Sequence, residues 1–439
     1  AMSLSADRYQ GLKRTATPVL VEQQVRIFHV PSLELSTTEH GIGQSGLEWN
    51  LDSSIAGLKR VEPAFATSGI TERFDVRPEI AYPLSFDGWH LRPSVAVRDT
   101  LYSRSRDSRT EFPPVESAHG LNRADVEMQA ELRAPVVERT FDSAMVEKLF
   151  RHDLRHTVEP TVTYRYVRGV DNFLNVLRFD DVDIVSNTNE LEYGVTQRLF
   201  LRPLKDKPCT ATEATDDSEA DASVADATGC GNREWLSWRL TQKHFFDQTF
   251  GGAVVDGRRN IFDTTLDLSG ISFLTEARAT SPLISRLRVR TSANMDVEWD
   301  FDLDTGAKKF TSNNVLLDVH QGNTFAGLSY ARLNAPGRSY TQGISSAVSN
   351  FSQLRLLVGY GSPTKTGLGV AANVGLDLNL SMVQYGALQT SYNWNCCGFS
   401  VEYRKYELGS VRNENAYRFN FTLANIGTAG NLRRAERLF

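Results

Sequence analysis

From Val370 onward every second residue is apolar: Val370, Ala372, Val374, Leu376, Leu378 and Leu380, with Ala371, Asn373, Gly375, Asp377, Asn379 and Ser381 between them. A helix would scatter these six around its axis, whereas a strand gathers them on one face. The same period recurs in Val158, Val162, Tyr164 and Tyr166, and in Tyr417, Phe419, Phe421 and Leu423. It also marks Leu191, Tyr193, Val195, Leu199 and Leu201, and Phe74, Val76, Ile80, Tyr82, Leu84 and Phe86. From Leu287 through Val289, Thr291, Ala293, Met295, Val297 and Trp299 to Phe301 one phase is kept over fifteen residues, which predicts a single long strand. No amphipathic helix of three turns is predicted. The fold class is all-β.

Strand length and the second face then choose among all-β folds. Soluble strands run about 5–6 residues, and strands that cross an outer membrane about 10. Ten or more is common here, and the faces opposite the apolar rows carry Arg286, Arg288, Arg290, Glu298, Asp300 and Asp302. Full charges are prohibitive in a sandwich core and ordinary in a watery lumen. Aromatics such as Trp89, Tyr102, Trp235, Trp238, Trp299, Tyr360, Tyr385 and Trp394 are expected at strand ends, as interfacial girdles. These features predict an antiparallel transmembrane outer-membrane β-barrel portion over 19–426, with roughly 17–18 strands, followed by a tail over 427–439. No blade-length or coil repeat points to a propeller or β-helix.

Composition narrows the function. At 41% hydrophobic and 23% charged the chain is not a disordered polyelectrolyte. Its net charge of −5 gives no reason to expect a nucleic-acid partner. No apolar run exceeds three residues, so no helix spans a bilayer. Ala1-Met2-Ser3-Leu4 lacks a basic start and an apolar stretch, so a mature or truncated product is expected. Arg outnumbers Lys 38 to 10, a bias that a GC-rich genome explains as well as phosphate contact does.

Connections alternate in character. Asp87-Gly88, His320–Asn323, Gly361–Thr366 and the Cys396-Cys397-Gly398 turn are assigned to the periplasmic side. Ser103–Asn122, Gly169–Asn187, Thr305-Gly306 and Asn334–Arg338 are assigned to the outside. One periplasmic connection is unusually long: the acidic insertion 203–232, which holds six acids and no base between Cys209 and Cys230. A disulfide closing that loop would be worth about 3 kcal/mol at most. Eight strand crossings, starting near Glu234, Thr264, Ser285, Phe310, Thr324, Ser346, Thr366 and Gln384, bring the chain back to that side at Cys396.

Enzyme motifs fail on context. Gly41-Ile42-Gly43-Gln44-Ser45-Gly46 fits a dinucleotide fingerprint, but alternating Leu47, Trp49 and Leu51 follow it instead of a helix. His152 and His156 have a helical ligand spacing, yet His156 begins a strand and no zincin Glu accompanies it. No cofactor, metal site or catalytic residue is expected. The vicinal pair Cys396-Cys397 is different. A bond between neighbours strains the backbone, so each is expected to bond elsewhere or to stay reduced.

That pair sits in Ser391–Tyr403, followed by the aromatic strand Ala416–Leu423. Together with Arg73–Leu84 and with Arg155–Tyr166, which carries Val158-Glu159-Pro160, these segments resemble the lipopolysaccharide-assembly outer-membrane protein family, also called organic solvent tolerance proteins. The resemblance spans about residues 20 to 425. It implies localisation to the cell outer membrane, with a periplasmic jellyroll preceding a barrel of about 26 strands. It also implies lipopolysaccharide as cargo, leaving through a lumen and lateral gate into the outer leaflet and surrounding membrane lipid. The implied partners are a plug lipoprotein, the periplasmic lipopolysaccharide-transport bridge that acts through the jellyroll, and the barrel-assembly machinery. The vicinal cysteines of the family normally bond to jellyroll cysteines. This chain is therefore expected to be a C-terminal portion with an open edge, its last strand Tyr417, Phe419, Phe421 and Leu423 forming half of the gate. Cys209 either bonds Cys230, or one of them replaces a missing partner for Cys396 or Cys397. The alternative functions are a porin-like diffusion channel and a TonB-dependent receptor, which would need a plug domain.

Overall fold

The computed structural model describes residues 2–10, 26–62, 65–107, 115–150, 152–202, 233–255, 260, 262–263, 277–292, 294–334, 350–361, 366–379, 381–394, 396–407, 413–423 and 427–430. Eighteen long strands run through them: β1 Met2–Gln10, β2 Arg26–Ser36, β3 Glu48–Glu62, β4 Thr71–Ala81, β5 Trp89–Tyr102 and β6 Leu121–Arg133. Then come β7 Asp153–Arg168, β8 Thr188–Arg202, β9 Arg233–Phe245, β10 Leu283–Ser292, β11 Met295–Asp304 and β12 Lys309–Gln321. The last six are β13 Thr324–Asn334, β14 Asn350–Tyr360, β15 Gly367–Asp377, β16 Met382–Asn393, β17 Cys397–Glu407 and β18 Asn413–Leu423. Each pairs antiparallel with its successor, giving one continuous meander. Among the described residues no ladder joins β1 to β18. A short strand, β19 Gly427–Gly430, pairs with the end of β18, so part of the expected tail extends the sheet.

The wall is inside out relative to a soluble fold. On β4, Thr71, Arg73 and Asp75 are buried while Phe74 and Ile80 are exposed. On β15, Ala371, Asn373 and Asp377 are buried and Val374 is exposed. On β17, Ser400, Glu402 and Arg404 are buried, whereas Phe399 and Tyr403 face out. This is the alternation read in the sequence, with apolar side chains towards lipid and charged ones towards a lumen.

Four expectations need correction. The long run Leu287–Phe301 is a hairpin, because the chain reverses between Ser292 and Met295. A register shift between Arg290 and Ser292 sets Leu287 opposite Trp299 and Val289 opposite Val297. Odd positions thus stay on one face through the reversal, and the apolar phase conceals the turn. Among the described residues eight strands (β9 to β16) lie between 203–232 and Cys396; they include both β10 and β11 where one strand was expected, and the span expected near Thr264 lies outside the described residues. Trp299 sits in the middle of β11 rather than at an end, and Tyr102 points inward and is buried. Finally, β15 ends at Asp377, leaving Leu378 and Asn379 in the following turn.

The connections sort onto two rims. Asp87-Gly88 makes the expected two-residue turn, both residues at positive φ (46° and 79°), with Phe86 paired to Trp89. It shares a rim with the connections holding Gly322-Asn323 and Cys396, by the parity of the meander. A second long connection lies on that rim: 134–152, with a short strand Val137–Phe141 and a seven-residue helix α1, Ala144–Phe150. On the opposite rim, the connections 169–187 and 246–282 pack together. Val170, Phe173 and Val185 meet Phe250, Ala253, Val254 and Phe262 in one apolar core.

Candidate functional site

Connection 169–187 does not simply stand away from the wall as an outer loop. Its Leu177 and Phe179 pack on the inward-facing Ala56 and Leu58 of β3. Two short helical turns, Phe173–Asn175 and Val182–Ile184, fold it back over the lumenal ends of β2 to β6. The sequence read this stretch as a plain outer loop. Its signal was present in the aperiodic apolar residues Phe173, Val176, Leu177, Phe179 and Val185.

A buried ionic latch fastens it. Arg73 of β4 donates from Nη1 to Asp180 at 2.6 Å and to Asp183 at 2.8 Å, and from Nη2 to the other Asp180 oxygen at 2.8 Å. Asp183 also accepts from the Tyr102 hydroxyl (2.8 Å) and from the amides of Phe179 (2.8 Å) and Asp180 (3.2 Å). Arg123 of β6 donates to the Val182 carbonyl and to Thr100. His29 of β2 lies 3.3 Å from Asp180. Asp180, outside the strands, keeps its carboxyl below the ordinary range: burial opposes this, but the hydrogen bonds and charge of Arg73 outweigh it. The pairing of Arg73 with Asp180 and Asp183 offsets the desolvation cost of bringing these two carboxylates inside.

Below the latch, charge continues down the inner wall. Arg98 forks onto Asp75, and Arg77 bridges Glu79 and Glu127. Lys243 of β9 reaches Glu190 at 2.9 Å and Glu192 at 3.3 Å. Near the C-terminal edge Arg404 grips Glu402 at 2.6 and 2.7 Å, and the ladder aligns Gln389, Glu402 and Arg418.

The outward face of that edge is aromatic. Tyr417, Phe419 and Phe421 are 74%, 55% and 39% exposed, and Leu423 is partly covered. Tyr417 lies opposite Tyr403 with rings 5.1 Å apart, and Phe421 opposite Phe399. Near the other edge, β2 bulges at Val30-Pro31 between His29 and Ser32. Gly57 faces the bulge, and a Cβ there would lie 2.3 Å from the Val30 carbonyl oxygen, so only glycine fits. Val30, Leu33, Ile55, Ile70, Phe74 and Leu101 line an apolar groove of about 910 Å³ beside it.

The sequence motifs are dispersed. Cys396 and Cys397 are free thiols at the start of β17, and Cys209 and Cys230 lie outside the described residues. Gly41–Gly46 is a hairpin loop between His40–Gly41 and β3, closed by Ile42 N–H to the Leu47 carbonyl. His152 contacts the Phe150 carbonyl, whereas His156 lies within β7 near Gln197.

A lipid-facing apolar exterior around a charged interior, crossed by a strand meander, defines an outer-membrane β-barrel protein. The family model described as LPS transport system D (LptD) matches residues 1–362, and the chain belongs to that family. It is 25% identical over 226 residues to the LPS-assembly protein LptD of Methylococcus capsulatus, a match covering 46% of this chain and 19% of that relative's length. Among solved structures it is similar to the ferric enterobactin receptor of Pseudomonas aeruginosa, at 9% identity and TM-score 0.40, covering 96% of this chain and 66% of that one. The copper transporter OprC aligns at 9% identity and TM-score 0.34, covering 98% and 68%. These two likenesses are too slight to add to the assignment.

Proposed function

We propose that this chain is barrel wall of an outer-membrane translocon that inserts lipopolysaccharide into the outer leaflet, without catalysing a reaction. Membership of the LptD family supports the cargo class. The observation that carries the reading is the C-terminal edge, where a polar inner row (Gln389, Glu402, Arg418) backs an exposed aromatic outer row (Tyr403, Tyr417). An amphipathic cargo leaving between strands needs both surfaces at one edge, sugars and phosphates inside and acyl chains outside. In this reading β18 is one side of the lateral gate, and the rim holding Cys396 faces the periplasm. The partners are the plug lipoprotein, the periplasmic transport bridge reaching the barrel through a jellyroll, and the machinery that inserts the barrel. A porin-like channel fits less well, because the family model that matches the chain is described as LPS transport system D.

The test is a photo-crosslinking residue at position 418 of the full-length protein in cells. Adducts with lipopolysaccharide that disappear when export is stopped are expected. Their absence, with solute flux through the purified protein, would favour the porin.

A further inference from the structure

From β2 to β5 the wall is dented on its outer side. Between His29 and Ser32 the ladder to β3 skips two residues, so Val30 and Pro31 both stand opposite the single residue Gly57. A bulge of this kind bends its strand, and Gly57 has no side chain to fill the space beside it. That space is the apolar groove of about 910 Å³, a volume in the range of ligand pockets, about 300–1,000 Å³. Val30, Ile55, Ile70, Phe74 and Leu101 line it and are exposed. Exposed apolar residues of a barrel wall face lipid, so the groove opens to the hydrocarbon.

Two charged groups meet it at the rim opposite Cys396. Glu72, the second residue of β4, pairs with Gly57 and lines the groove. Its amide donates to the Ser103 hydroxyl at 2.8 Å, and the Ser103 amide donates to the Glu72 carbonyl at 2.9 Å, which fixes its place in the sheet. Lys59 lies two residues nearer that rim than Gly57 and pairs with Phe28. Ile27 packs into the inward cluster, so Phe28 and Lys59 face out. Among the described residues, neither the Glu72 carboxylate nor the Lys59 ammonium has an ion-pair or hydrogen-bond partner. Unpaired charges on a lipid face are costly and mark function.

We propose that the groove seats one acyl chain of a zwitterionic phospholipid, with the headgroup phosphate on Lys59 and the headgroup ammonium on Glu72. The apolar walls take the chain, and the two opposite charges select the head. An anionic head without an ammonium would meet Glu72 as a like charge, which disfavours it. The site stands on the outer-membrane assignment alone. It belongs to β2 to β5 rather than to β18, and it does not require a lateral gate.

The test uses full-length protein, stripped of lipid in detergent and titrated with phosphatidylethanolamine or phosphatidylglycerol, the retained lipid being counted by native mass spectrometry. The wild type is expected to retain one phosphatidylethanolamine saturably, with phosphatidylglycerol about tenfold weaker through loss of a charge-assisted hydrogen bond. Glu72→Gln should erase that preference, and Lys59→Gln should weaken both lipids about tenfold. Ile55→Trp fills the groove from its side and should abolish retention of either lipid. Leu101→Trp repeats that measurement should Ile55→Trp fail to assemble. Equal retention of the two lipids by the wild type and both charge variants would mean unselective lipid contact and overturn the site. Lipopolysaccharide displacing phosphatidylethanolamine at lower concentration would overturn this occupant.

Discussion

Single residues here follow inverted rules: Glu402 is fully buried and Tyr417 is three-quarters exposed. Each is sensible only if the outside is lipid. Replacing Phe421 with Asp then puts a charge on the lipid face of β18, at about 2–4 kcal/mol if near mid-membrane. The full-length variant is expected to assemble poorly, seen as loss of outer-membrane protein and of surface lipopolysaccharide. Normal assembly would disprove the outward assignment of that face. The vicinal thiols remain a matter for chemistry. Non-reducing peptide mapping decides whether Cys209 bonds Cys230 or whether either joins Cys396 or Cys397. The intraloop pairing is favoured, because loop closure within 203–232 costs less entropy.

Elements were legible where one face repeats every second residue. Val370 and Val374 were read correctly because the ladder of β15 with β16 is regular up to Gly375, its one register shift falling between Gly375 and Leu376. The β10–β11 hairpin was missed because its register shift keeps Leu287 and Trp299 on the same face. Helix α1 escaped because seven residues are too few for a helical period to stand out. Connection 169–187 was missed for a deeper reason: its fold depends on Arg73, Tyr102 and Arg123, which lie far away in sequence. The candidate site was legible in part: the aromatic edge was readable from period alone, whereas the latch is a purely tertiary object. Removing Arg73 leaves Asp180 and Asp183 buried without their main counter-charge, a loss of about 3–5 kcal/mol. Arg73→Met should therefore release the loop, with faster hydrogen exchange at the amides of Phe179 and Asp183 while β4 to β6 stay protected. Acid acts in the same direction. Because Asp180 titrates below its unfolded value, its contribution is present above about pH 3.9 and is lost as pH falls through the lower folded value. Exchange in the loop should rise over that window, and less so in Asp180→Asn.

At the scale of the molecule, parity is the strongest constraint. Among the described residues eight strands lie between 203–232 and Cys396, each paired antiparallel to the next, so the connections β8–β9 and β16–β17 belong to one rim, opposite the packed connections 169–187 and 246–282. If that rim is periplasmic, protease added to intact cells should spare 203–232, and cutting between Cys209 and Cys230 from outside would reverse the orientation.

The central claim is that the succession of antiparallel strands is a membrane wall with alternating lipid and lumen faces. Spin labels placed singly from 370 to 377 in the full-length protein, reconstituted in bilayers, test it most directly. Accessibility to oxygen dissolved in the lipid should be high at 370, 372, 374 and 376 and low at 371, 373, 375 and 377. A profile without that two-residue period, or one of opposite phase, would contradict the account.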